Sequence, residues 1–154
     1  MADPISERIL ADLLTDAATV TTGNGYNYTL TVERQNRGAE GNRSRDGLCV
    51  VSVGDASPLE GSGQFRAWSQ SYMCHIFAEQ SDTDTTDWIT KANRMSADLT
   101  KALMVDHTRS GLAYDTTIDM PSLDIDQESA ITIATVTVNI SFDHEWDDPY
   151  TGRA

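Results

Sequence analysis

His75 follows Cys74 directly, but the segment around them alternates like a β-strand. Consecutive strand residues point to opposite faces, so the pair cannot ligate one metal. His107 falls where a helix should end and His144 lies in an acidic stretch. Three scattered histidines and two cysteines do not make a zinc spacing. The run DTDTTD at 82–87 superficially resembles a calcium loop. It lacks the sixth-position glycine, and the twelfth position is Asn93 rather than glutamate. Capping of a helix N-terminus explains it better, because the backbone dipole there favours negative charge. Asp143, Glu145, Asp147 and Asp148 would attract cations only weakly as a solvated tail. The chain has no nucleophile elbow, phosphate loop or dinucleotide fingerprint. The expectation is a protein without enzymatic activity, cofactor or metal.

Charge is the louder signal. The net charge is −13, and lysine occurs only at 91 and 101. Such aspartate-rich, lysine-poor surfaces resemble those of extreme halophiles, where dense carboxylates hold water when salt screens repulsion. The charge is also uneven. Arg34, Arg37, Arg43, Arg45 and Arg66 are five of the eleven basic residues, whereas 110–152 contains no lysine or arginine and nine acids. Complementary surfaces on neighbouring subunits are one reading, with Arg37, Arg43 and Arg45 meeting the acidic stretch. Solvated loops are the plainer one. The arginine segment lacks interleaved aromatics, and the whole chain would repel phosphate, so specific nucleic-acid binding is not expected.

The elements that must position these residues fit one domain over 1–154. Cys49 and Cys74 each fall in a predicted strand and read as buried thiols. No apolar run is long enough to cross a bilayer. The first residues lack a signal-peptide pattern, and a cytoplasmic origin is expected. Asp3-Pro4 starts a helix carrying Ile5, Ile9, Leu10, Leu13, Leu14 and Ala17. Alternation predicts strands over 26–34 and 65–78, and LCVVSV at 48–53 reads as a central strand. Segments 35–47 and 54–63 read as loops, the first as a mobile one that orders on assembly. A second helix follows 81–87 and fades at Asp106–Arg109, before Gly111. A hairpin spans 113–142 and an acidic tail 143–154. The order is α-β-β-β-α-β-β: an α+β fold with an antiparallel or mixed sheet and two helices on one face.

Within the hairpin, apolar residues are even-numbered at the base (Ile118, Met120, Val136, Val138) and odd-numbered at the tip (Leu123, Ile125, Ile131, Ile133). Pairing residues whose numbers sum to 256 matches both sets in one register without a bulge. The base then packs on the domain's own core. The tip projects beyond it, and its four aliphatics need cover from the opposite side, which points to a neighbouring subunit. Cover by one of the chain's own helices is the alternative.

The element order, closing on TVTVNISFDHEWDDPY with Val136, Val138, Ile140 and Phe142 in alternation, resembles the tail terminators of long-tailed, siphovirus-like phages. Head–tail connectors and tail-completion proteins share much of this outline. The acidic surface makes a haloarchaeal tailed virus the natural source. The resemblance implies a virion protein, assembled in the host cytoplasm, that forms a homo-oligomeric ring, usually a hexamer. The ring would cap the tail tube, join a connector or neck protein, and leave a channel through which DNA passes without specific binding. No membrane contact is implied. The competing reading, a small ligand-binding or hydrolytic domain, would need a pocket around Trp68, Tyr72 and His75.

Overall fold

A computed structural model describes residues 3–35, 45–79, 84 and 86–152. It is an α+β fold: α1 (Ile5–Ala17), β1 (Thr31–Arg34), β2 (Leu48–Leu59), β3 (Phe65–Glu79), α2 (Trp88–Leu103), β4 (Asp115–Ile118), β5 (Ser122–Asp126) and β6 (Ile131–Glu145). The six strands form one sheet in the order β1-β2-β3-β6-β4, with β5 also on β6. Only β1 and β2 run parallel, so the sheet is mixed.

Period-2 patterning builds the centre. Tyr72, Cys74, Ile76 and Ala78 of β3 sit opposite Val138, Val136, Ala134 and Thr132 of β6, and all eight are buried. Both helices pack on this face. Ile9, Leu10 and Leu13 of α1 and Met95, Leu99 and Leu103 of α2 complete the core. Deep in it the Tyr72 hydroxyl donates to the Ser6 carbonyl at 3.2 Å, and burial pushes its pKa well up. Cys49 and Cys74 are free and buried.

Polar clasps tie the helices to the loops. The Asp98 carboxylate accepts from the Asn27 backbone N–H (2.9 Å), Asn27 Nδ2 (3.1 Å) and the Tyr28 backbone N–H (3.3 Å). Those donors are therefore unavailable to a sheet ladder, and the strand expected over 26–34 shortens to Thr31–Arg34. Lys91, only 2 % exposed, donates to Asp46 Oδ2 (2.7 Å) and the Glu79 carbonyl (3.1 Å). Arg109, fully buried, pairs with Asp16 at 2.8 Å and donates to the carbonyls of Leu103 and Asp106. It caps the end of α2, which stops at Leu103 rather than continuing to 106–109.

Other boundaries also move. Pro4, not Asp3, is the cap residue of α1, and no side chain caps that end. The Ile5 N–H donates to the Pro149 carbonyl instead, at 3.0 Å. The C-terminal segment is thus tied to α1 rather than a free acidic tail. Asp143 is buried and accepts the Tyr114 hydroxyl. The expected loop at 54–63 is strand as far as Leu59. Beyond Val51 no β1 partner remains, so β2 accepts Pro58 without losing a ladder bond.

The hairpin departs most from expectation. At its base the 256 register holds: Asp115 faces Ser141 and Ile118 faces Val138. The Asp119 N–H still reaches the Thr137 carbonyl at 3.0 Å. Past that, Leu123 faces Ala134 and Ile125 faces Thr132. Met120 and Pro121 therefore stand opposite the single Val136, an inserted residue of the β-bulge kind. Pro121 has no N–H to give to the ladder. The bulge flips β5 and not β6, so the unbulged register is incorrect and the four aliphatics do not share a face. Leu123 and Ile125 lie on the helix side, and Ile131 and Ile133 on the other. The tip does not project either. Ile133 faces Phe77 and Ile131 faces Glu79, level with the end of β3.

Candidate subunit interface

Both helices cover one face of the sheet, and among the described residues no helix covers the other. Pairing registers define it strand by strand. His75 lies between Val50 of β2 and Thr135 of β6, Met73 between Ser52 and Thr137, and Phe77 beside Ile133. One end, around Val50, Phe77 and Ile133, is apolar, and Ile131 continues it between Glu79 and Asp126. The other end is carpeted by Ser69, Ser71, Thr137, Asn139 and Ser141. Most of these side chains are half-buried, which leaves a flat surface rather than a groove.

Its electrostatics are unusual for this chain. Outward positions 48–52 of β2, 69–77 of β3 and 133–141 of β6 contain no Asp, Glu, Lys or Arg, although 23 % of the chain is charged; the next outward residue of β3, Glu79, stands beside Ile131. Charges collect at the rim. Asp124 and Asp126 of β5 face Ile133 and Ile131. On the other side the Arg45 guanidinium lies 5.8 Å from the Phe77 ring centre, and Glu33 of β1 stands beside Val50. His75 lies well inside the rim, between Val50 and Thr135. Burial holds its pKa below the usual 6.5, and its Nδ1 lies 3.1 Å from Thr135 Oγ1.

The residues expected to form an interface are thus divided. Ile131 and Ile133 lie on the open face. Leu123 packs against the core, and Ile125 is 41 % exposed on the helix side. Arg45 sits at the rim, while Arg37 and Arg43 lie outside the described residues. Met73, Phe77 and Val50 were missed. Their signal was present in the odd positions of 65–78 and in the two-sided apolarity of 48–53. The tip itself is a hydrogen-bonded turn: Asp126 Oδ1 accepts from the backbone N–H groups of Glu128 (3.1 Å) and Ser129 (3.3 Å). The Ser129 hydroxyl, which donates to Asp126 Oδ2 at 2.9 Å, and then these backbone N–H groups hold the Asp126 carboxyl below the usual carboxylate range.

The pocket that the ligand-binding reading would need around Trp68, Tyr72 and His75 does not form, because His75 lies on the opposite face from the other two. A cleft of about 210 Å³ instead touches Trp68, Gln70, Phe142 and His144. Trp68 Nε1 donates to His144 Nε2 at 3.0 Å, and Arg66 lies 4.3 Å from the exposed Trp146 ring centre. Among the described residues no cluster of three or more His, Cys, Asp or Glu could hold a metal, and no helix is long and apolar enough to cross a membrane.

The geometry defines a class: an α+β domain with one layer of helices on one side of a mixed sheet and, among the described residues, no helix on the other. No family model matches the chain, and no curated protein sequence matches it.

Proposed function

We propose that the protein is a structural subunit of a virion: a tail terminator whose copies close into a ring that caps the tail tube and joins it to the head. The reading rests on the element order, folded into one sheet with both described helices on one side. A closed ring needs two different surfaces on each subunit. The acidic edge of β4 and β5, with Asp115, Asp119, Asp124 and Asp126, supplies one. Arg45 supplies its complement, and Arg37 and Arg43, outside the described residues, would add to that charge. An acidic lumen would let DNA slide through without sticking. Tail tube and connector proteins would be the neighbours along the axis.

A head–tail connector or tail-completion protein at the same joint is the nearest alternative. The Trp68–His144 cleft favours a ligand-binding domain, but its volume falls short of the roughly 300–1,000 Å³ usual for small-molecule sites. The test is molar mass by light scattering in molar salt, followed by negative-stain imaging. Closed rings are expected, falling apart in 0.01 M salt as the Debye length grows to about 30 Å. A monomer at all concentrations would overturn the reading. Binding to isolated tail tube would separate terminator from connector.

A further inference from the structure

We infer that two copies of this chain pair through the open sheet face, about a two-fold axis that runs parallel to the strands between β3 and β6. Such an axis turns one sheet onto the other while keeping every row of residues at its own height. It exchanges β3 with β6 and β2 with β5. Phe77 of one copy then lies over the partner's Ile133 and the Ser/Thr carpets meet each other, while Glu79 comes to the margin of the contact, over the partner's Ile131. Charge selects the same axis. Asp124, Ile133 and Phe77 share one row, and Arg45 lies over Phe77. The operation therefore brings Asp124 of each copy over the β2 side of the other, within reach of Arg45. A two-fold running across the strands would do the opposite: it lays apolar rows on polar ones and the acidic β4–β5 rim on itself. Glu33 is one strand further out, on β1, and lies outside the exchanged columns.

The size of the face fits a second copy. Four strands about 4.8 Å apart and some nine residues at about 3.4 Å each cover roughly 20 by 30 Å per copy, or about 1,200 Å² for the pair. That just clears the roughly 1,000 Å² expected of a specific interface, so a pair that dissociates on dilution is expected. Two sheets would stack about 10 Å apart, helices outward. A two-fold contact closes at two copies, so the inference stands apart from the ring.

Sedimentation of the full chain over a concentration series tests it, at the lowest salt at which far-UV circular dichroism shows it folded. A two-copy species is expected. Ile133→Asp should give a folded monomer, and Ile133→Thr, which a strand accepts readily, should weaken pairing tenfold or more. Arg45→Asp and Asp124→Arg should each weaken it, and the two together should restore it. A chain that never pairs, or pairing indifferent to Ile133→Thr, overturns the inference. Single reversals that merely add up in the double variant overturn the axis. A two-copy particle that forms no ring supports the pair and refutes the terminator. Rings unchanged by Ile133→Thr, with no two-copy species on dilution, refute the pair alone.

Discussion

The two faces of the β3–β6 ladder are made by the same strands, in the same alternation, and have opposite fates. On one, Cys74, Ile76, Ala134, Val136 and Val138 are sealed beneath two helices with no measurable exposure. On the other, Met73, His75, Phe77, Ile131 and Ile133 are half-buried by their neighbours and covered by no helix. A face can thus be apolar without belonging to the core. What separates the two is whether another element of the chain returns over them.

The largest expected effect breaks the comparison outright. Val136→Asp or Val138→Asp puts a carboxylate among aliphatic side chains and should cost about 5 kcal/mol or more, enough to unfold the chain. The same change at Ile131 or Ile133 should leave the urea transition within about 1 kcal/mol. Equal loss on both faces would mean that the outer face is covered within the subunit.

Next comes the clasp that only the helix side possesses. Asp98→Ala removes three accepted hydrogen bonds and should cost about 1.5–3 kcal/mol. Fast hydrogen exchange should then appear at Asn27 and Tyr28. A smaller effect sharpens the register. Leu123→Ala should cost about 1–2 kcal/mol because Leu123 packs on the core, whereas Ile125→Ala should cost less than about 0.5. A Leu123→Ala change that cost nothing would contradict the bulge at Met120–Pro121, because the unbulged register puts Leu123 on the open face.

The smallest effect is a pH dependence carried by the open face. The folded pKa of His75 is depressed by burial, so between it and 6.5 the unfolded chain binds more protons than the folded one. The contribution from neutral His75 is complete above about pH 7 and is lost as pH falls through 6.5 towards the folded value. His75→Gln should flatten the stability profile over that window and leave it unchanged above pH 7. A profile identical to wild type would assign the dependence elsewhere.

How much of this was legible varies by element. The phase of β3 and β6 could be read from alternation, and the helices from their 3.6 period, because both are set by residues within a few positions. The base register of the hairpin was legible for the same reason, and Ile118 does face Val138. The bulge was not. The aliphatics at 123 and 125 match those at 131 and 133 in phase whether or not a residue is inserted, and Pro121, the one local cue, fits either arrangement. The fate of 26–30 depended on Asp98, some seventy residues away. The Trp68–His144 contact likewise needed β3 and β6 to be paired.

By itself, then, the order of residues determined that this chain forms two amphipathic helices and a sheet with two apolar-bearing faces, because side-chain direction along a strand or helix is a local property of the backbone. Only the tertiary structure decided which face became core, since two helices can cover one side of a sheet and must leave the other. It also decided where Ile131 and Ile133 part from Leu123 and Ile125. A single inserted residue inverts every side chain beyond it, and that insertion is chosen by what the whole strand packs against rather than by the residues that bear it.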